Sequence, residues 1–278
     1  MKQCTTIDSV RQARASYGKV GFVPTMGFLH EGHLSLVRRA RAENDAVIVS
    51  IFVNPIQFGP NEDFESYPRD RERDLAMLAK EGVDLVFTPE ASEFYPPDFA
   101  TEIVVKGVAN RLEGASRPGH FSGVATVVTK LFNIVQPQRA YFGQKDAQQC
   151  AVIRRFVEDL NIPVAITIVP TGREEDGLAS SSRNVRLSAK ERALAPGLYK
   201  ALLGTRILFQ SGERDRVILE ARLKELLRQN DIPQPDYAVI VDPRTFEAVN
   251  PVTDNALALL AVPFSTVRLI DNLPLGME

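Results

Sequence analysis

Residues 46–53, AVIVSIFV, constrain what this chain folds into more than any other stretch: all but Ser50 are apolar and most are β-branched. A strand with no polar side is covered on both faces, which is the condition of a parallel strand between two helical layers. Similar short apolar runs stand at 20–23, 83–87, 139–142 and 164–169. Between them lie segments with helical spacing: Leu34, Val37 and Ala40; residues 70–80 with Leu75 and Leu78 inward and Gly82 as a stop; residues 121–135; and residues 147–160. Residues 88–97 are Pro-rich and irregular, residues 102–105 read as a further strand, and 113–120 as a loop. The alternation predicts an α/β domain, a Rossmann-like doubly wound parallel sheet, with ligands at the carboxyl ends of the strands.

Three polar segments fall at such ends: PTMGFLHEGH (24–33), NPIQFGP (54–60) and GQKDAQQ (143–149). The first joins a strand to a helix. Gly27 and Gly32 favour a tight turn and close backbone approach, and the helix start directs unpaired N–H groups and a positive dipole end into the same space, so an anion belongs there. His30 and His33, three residues apart, face one bound group. With His120 they make up the three histidines of the chain, enough in number for a zinc site. The i, i+3 spacing lacks the H-E-x-x-H pattern, and a glycine-flanked helix start favours phosphate over a metal or a purely structural role. In GQKDAQQ, Lys145 is a point charge for phosphate and Asp146 an acceptor for a sugar hydroxyl or base. Neither a Walker loop nor G-x-G-x-x-G occurs.

Net charge is −2, with 24% charged residues, so charge gives no reason to expect nucleic acid or an acidic membrane as a partner. Arg38-Arg39-Ala40-Arg41 and the 69–73 cluster read as solvated helix faces. Two cysteines make no disulfide framework, the N-terminus carries no basic-then-apolar signal pattern, and no run approaches the ~20 apolar residues of a membrane span. The expectation is a cytoplasmic protein.

At 171–184, TGREEDGLASSSRN, apolar periodicity ends, and the sequence places a hinge there. The expected domains are 1–172, the Rossmann-like one, and 173–278, a smaller C-terminal α+β domain that begins with the hinge loop. In the second, Ser188 and Glu191 form a capping box, residues 214–229 a helix, and 237–241, 256–262 and 266–270 strands. The SSSRN segment brings hydroxyls and a guanidinium suited to clamping phosphate charge. Asn54 and Gln57 are neutral amides that suit a hydroxylated carboxylate.

Taken together, PTMGFLHEGH, FVNPIQFGPNEDFESYPR (52–69), RPGHFSGVATVVTKLFNIVQP (117–137), YFGQKDAQQ (141–149), GLASSSRN (177–184) and a closing RLIDN (268–272) resemble the pantothenate synthetases. These belong to a nucleotidyltransferase group with an HxGH-like turn. The resemblance implies ATP-dependent condensation of pantoate with β-alanine through a pantoyl adenylate, in pantothenate and coenzyme A biosynthesis, with Mg²⁺ and a homodimer. It implies ATP contacts from Met26, Gly27, Phe28, Leu29, His30, Glu31, Gly32, His33, Gly143, Gln144, Lys145, Asp146, Gly172, Ser180, Ser181, Ser182 and Arg183. His33, His30, Lys145 and Arg183 take catalytic roles, His33 as the acid. Asn54, Gln57 and Gln149 bind pantoate, and Gln57 also β-alanine. Tyr67, Glu113 and Arg117 match further residues around the pocket. No protein ligand for Mg²⁺ is assigned, although Asp70 and Asp74 are available. Two departures stand out: Ser180 where the family often has methionine, and Gly172 where it has valine. Both remove apolar area near the nucleotide, and a raised nucleotide KM is expected.

Overall fold

The computed structural model describes residues 1–60 and 62–276, which form two compact units. The first takes in Met1–Gly143 and Val152–Pro170, and the second Gln144–Ala151 and the chain from Thr171 on. The sequence put the division at 172/173, with 144–151 in the first domain.

In chain order the first unit runs β1 (Lys2–Cys4), α1 (Ile7–Arg14), β2 (Val20–Thr25), α2 (Glu31–Glu43), β3 (Ala46–Ile51), α3 (Arg71–Lys80), β4 (Leu85–Phe87) and α4 (Ala91–Phe94). It continues through α5 (Leu112–Ser116), α6 (His120–Val135), β5 (Arg139–Gly143), the later part of α7 (Ala147–Asp159) and β6 (Ala165–Val169). All six strands are parallel, in the order β1-β4-β3-β2-β5-β6. From β2 the chain winds outward through β3 and β4. It then returns to place β5 on the other side of β2, so the topological switch point lies between β2 and β5.

The uniformly apolar strands are covered on both faces. On one, Val23, Val47, Val49 and Val86 pack with Leu36, Val37 and Ala40 of α2 and Leu78 of α3. On the other, Phe132 of α6 meets Phe22 and Phe142 edge-on, each pair at 6.5 Å between ring centres. Tyr141 is fully buried; it donates to Glu43 and accepts from Asn44, and burial pushes its hydroxyl up to about 12.

The strand expected at 102–105 is absent. Those residues run without ladder partners, and the Ile103 N–H donates instead to Thr126 Oγ1 of α6 at 2.9 Å. The β-branched run is satisfied by a helix side chain, and Val104 is left 64% exposed. Strand β1 and helix α1 were not read from the sequence: β1 is three residues long and pairs with β4 alone, too short for a period to register.

The second unit is α+β. It holds the first residues of α7, then α8 (Ala189–Leu194), α9 (Gly197–Gln210), α10 (Arg216–Gln229), β7 (Tyr237–Val241), β8 (Leu257–Pro263) and β9 (Arg268–Pro274), with the strands antiparallel in that order. Leu198, Leu202 and Phe209 of α9 and Leu219, Leu223 and Leu227 of α10 bury against Ala258, Leu260 and Val262 of β8. The expected capping box opens α8, and Asp215 caps α10. No helix among the described residues is long and apolar enough to cross a membrane.

Candidate active site

The turn between β2 and α2 is shaped by two consecutive left-handed residues, Gly27 (φ 86°) and Phe28 (φ 51°). A left-handed conformation costs a residue with a Cβ roughly 1–2 kcal/mol, so something must hold Phe28 there. Asp74 of α3 does so. Its two carboxylate oxygens accept the N–H groups of Phe28 and Leu29, each at 2.7 Å, from a position only 1% exposed. The neighbouring Arg73 donates to the Leu29 carbonyl at 3.0 Å and lies over the Phe28 ring. Burial raises the pKa of Asp74, and the two N–H bonds oppose that shift.

With the Gly27 N–H donating to Thr25 Oγ1, three amides of the turn are consumed within the protein. What it offers a ligand is narrower than the sequence suggested. The amides of Glu31 and Gly32 have no intrahelical partner at a helix start, and the two imidazoles stand beside them. The rings of His30 and His33 lie 4.1 Å apart between centres, and His33 Nδ1 accepts from the His30 N–H at 3.4 Å.

Next to this turn, in the same unit, is a buried amide pair. Asn54 is 1% exposed; its Nδ2 donates to Gln57 Oε1 at 3.0 Å and to the Gly123 carbonyl at 3.2 Å, while its Oδ1 accepts from the Tyr95 hydroxyl at 2.8 Å. Gln57 Nε2 points at Met26 Sδ, 3.1 Å away, which ties the pair to the turn. Gly123 makes this approach possible, because a Cβ there would stand 2.5 Å from the Ile56 carbonyl oxygen and 2.6 Å from Gln57 Cα.

His120 supports the same segment. Arg117, which can only donate, lies 3.0 Å from His120 Nε2, so Nδ1 carries the proton and donates to the Gln57 carbonyl at 2.9 Å. Both nitrogens of the neutral ring are therefore in use, and Arg117 also pairs with Glu62. Tyr67 and Glu113 are both buried in this unit. Among the described residues no group of three His, Cys, Asp or Glu is arranged to hold a metal ion.

In the second unit, Gln144, Lys145 and Asp146 form one turn of 3-10 helix, followed by Gln149 in the first turn of α7. The closing RLIDN segment now has a local reason. Asn272 Nδ2 donates to the carbonyls of Gln144 at 3.0 Å and Lys145 at 2.9 Å, and its Oδ1 accepts from Gln144 Nε2. Asp271, 2% exposed, is bound by both terminal nitrogens of Arg173 at 2.7 and 3.0 Å. Burial raises its pKa, with Arg173 opposing.

The 171–184 segment is tied down rather than left as a bare linker: Arg173 bridges Ala179, the Ser180 N–H donates to the Gly172 carbonyl at 2.9 Å, and Leu178 and Ala179 are buried. Ser181 caps a short 3-10 helix beginning at Ser182, accepting from the Arg183 N–H. Lys145, Ser181, Asn184 and Asp271 line one cleft of this unit.

Tyr95, Gly123, Asp271 and Asn272 escaped the reading of the sequence as site residues, and Asp74, named there only as available to Mg²⁺, was not read as the support of the turn. Only Asp74 carried a local signal, as a carboxylate four residues before Leu78 on the buried face of α3.

Known proteins share the sequence and fold of this chain. A sequence model of the family described as pantoate-beta-alanine ligase matches residues 2–274. A pantothenate synthetase of Gluconobacter oxydans is 64% identical over 275 residues, 99% of this chain and 100% of that protein. One from Chloroflexus aurantiacus is 56% identical, over 98% of this chain and 97% of that one. Among solved structures, pantothenate synthetase from Thermus thermophilus superposes with a TM-score of 0.94 at 50% identity, covering 100% of both chains. Pantoate-beta-alanine ligase from Francisella tularensis, complexed with beta-gamma ATP and beta-alanine, superposes with a TM-score of 0.81 at 37% identity over 100% of this chain and 99% of that one. Relatives more than half identical, a superposable fold and a family match across nearly the whole sequence place this chain in the pantoate-beta-alanine ligase family.

Proposed function

We propose that the chain condenses (R)-pantoate with β-alanine at the expense of ATP, giving pantothenate, AMP and diphosphate. A pantoate carboxylate oxygen attacks the α-phosphorus, the bond to the β-phosphate oxygen breaks, and diphosphate leaves. The β-alanine nitrogen then attacks the acyl carbon of the pantoyl adenylate, loses a proton, and AMP departs with the bridging oxygen.

The observation that carries this reading is the hydrogen-bonded chain Tyr95, Asn54, Gln57, Met26, which joins a neutral amide pocket to the histidine turn within one unit. A carboxylate held by amides rather than cations stays nucleophilic, and a helix start with two imidazoles beside it suits phosphate charge. Asn54, Gln57 and Gln149 are assigned to pantoate, and Gln57 also to β-alanine. His33, with His30, stabilises charge on the phosphates during attack. Lys145 neutralises phosphate. Gly143, Gln144, Asp146, Gly172, Ser180, Ser181, Ser182 and Arg183 contact the nucleotide.

Mg²⁺ is assigned to the substrate, entering on the ATP phosphates with waters of its own. Asp74 does not suit a resident ion, because both its oxygens accept backbone N–H groups, and Asp70 is used as the cap of α3. The resemblance supports a cytoplasmic homodimer serving coenzyme A biosynthesis.

The deciding experiment is exchange of labelled diphosphate into ATP with Mg²⁺ present. Exchange that needs pantoate and no β-alanine is expected; its absence with folded protein sinks the reading.

A further inference from the structure

Tyr95 follows α4 in the first unit, and its hydroxyl is the sole donor to Asn54 Oδ1 among the described residues. An amide pair such as Asn54 and Gln57 has no intrinsic polarity, because either side chain can flip and exchange its donor for its acceptor. A flipped pocket would present carbonyl oxygens, which repel a carboxylate. The direction is imposed by the partners of the pair: the Gly123 carbonyl can only accept and so takes the Asn54 NH₂, and the Tyr95 hydroxyl donates to the oxygen on the other side.

The hydrogen bonds here run one way. The Tyr95 hydroxyl donates to Asn54 Oδ1 at 2.8 Å, Asn54 Nδ2 donates to Gln57 Oε1 at 3.0 Å, and Gln57 is left with its NH₂ toward Met26. The second bond of Asn54 Nδ2, to the Gly123 carbonyl, agrees in sense.

Tyr95 is itself held from several sides. Its ring meets those of Phe94 at 5.0 Å, Phe99 at 4.9 Å and Phe52 at 6.0 Å. The ammonium of Lys130, on α6, lies over the rings of Phe94, Tyr95 and Phe99 at 5.1, 5.5 and 4.6 Å. A cation faced by three aromatic rings is attracted to each, so Lys130 draws the cluster together and fixes where the hydroxyl points.

We propose that Tyr95, seated by Lys130, is a positioning residue that, together with the Gly123 carbonyl, holds the donor-outward polarity of the Asn54–Gln57 pair and thereby selects a carboxylate-bearing acceptor. The inference rests on the pantoate assignment of that pair. It predicts which change leaves the packing intact and still damages the pocket: Tyr95→Phe keeps the ring and its cation contact but removes the hydroxyl.

The test has two arms. In steady-state kinetics, Tyr95→Phe should raise the KM for pantoate about tenfold, the size expected for one lost hydrogen bond to an orienting group, with the KM for ATP changed less than twofold. Lys130→Met should shift the pantoate KM in the same direction, and Lys130→Arg, which keeps the cation, should restore it. Equal rises for both substrates, or no rise in either, would overturn the proposal. The second arm is independent of turnover: the side-chain NH₂ signals of Asn54, identified by their loss in Asn54→Ala, should be sharp in the unmodified protein and broadened in Tyr95→Phe. An unchanged signal also overturns it. If the unmodified protein shows no pantoate-dependent exchange, the ligase reading fails, while the amide signals still decide whether Tyr95 orients the pair.

Discussion

His33 Nδ1 accepts the N–H of His30, so the neutral His33 ring carries its proton on Nε2, on the side away from the helix backbone. A ring fixed in this tautomer is ready to donate to a phosphate oxygen without rearranging. His33→Ala should therefore slow adenylate formation about 10²–10³-fold, the range found when one preorganised donor is removed from a reacting oxyanion. Pantoate affinity should change less than about threefold, since the amide pair stays intact. His33→Gln, whose terminal NH₂ reaches farther than that of Asn, should recover part of the loss. Single-turnover kinetics with separate pantoate binding checks this, and a variant impaired only in binding contradicts it.

Asp74 holds a strained turn from a helix more than forty residues away in sequence. Asp74→Ala would leave two N–H groups without a buried acceptor and release the left-handed Phe28. The expected cost is about 2–4 kcal/mol of stability, from lost charge-assisted bonds and unsatisfied donors. Asp74→Asn should cost less yet still raise the ATP KM, because an amide supplies one acceptor oxygen where the carboxylate supplies two. Urea unfolding and ATP kinetics on the two variants measure the two effects separately.

The glycines make a paired prediction. At Gly123 an added methyl meets the backbone of Ile56 and Gln57, so Gly123→Ala must move the 55–57 turn, at about 1–3 kcal/mol of overpacking, and raise the pantoate KM. At Gly143 an added Cβ finds nothing within 4 Å, so the empty protein should tolerate Gly143→Ala with little change in Tm. If the nucleotide comes close to this backbone as proposed, the same variant raises the ATP KM. A Gly143→Ala enzyme with normal ATP kinetics would remove Gly143 from the site.

How much of this was legible follows from where each signal resides. The 46–53 run, apolar but for Ser50, is a local pattern that led to the parallel sheet, and the i, i+3 histidines are an equally local pattern at the start of α2. Residues 102–105 misled, because a short β-branched run is also what a chain shows when it runs along a helix and borrows a side-chain acceptor, as Ile103 does from Thr126. Helix α9 was missed because its apolar residues spread around much of its circumference, where a stripe cannot be read. Asp74, Tyr95 and Gly123 act on residues 41 or more positions away, through contacts that exist only after the sheet is assembled.

Glu191 gives a prediction in pH. Its carboxylate accepts from the Ser188 hydroxyl and N–H and from the Ser265 N–H, and these bonds, that of the Ser188 side chain first, bring its pKa down to about 2. An acid depressed in the folded state stabilises the fold above its unfolded value, ~4.3 for a glutamate, and loses that contribution as pH falls toward 2. Glu191→Gln should lower Tm at pH 7, and the gap from the unmodified protein should shrink steadily below about pH 4. A gap independent of pH would mean that packing, not charge, carries the cap.

The two departures from the family pattern are direct partners, since the Ser180 N–H donates to the Gly172 carbonyl at 2.9 Å. Ser180 is itself buried, so a methionine there enters packed surroundings and displaces something unless Gly172 changes with it. Each replacement restores apolar area, at about 25 cal/mol per Å² buried, but neighbours that share a hydrogen bond do not add independently. Ser180→Met alone should therefore gain little or lose stability, whereas Gly172→Val with Ser180→Met should lower the ATP KM by more than the two single changes combined. A double-mutant cycle on ATP KM measures the coupling. Strict additivity would separate the two positions, and an unchanged KM in the double variant would show that neither side chain bears on the nucleotide.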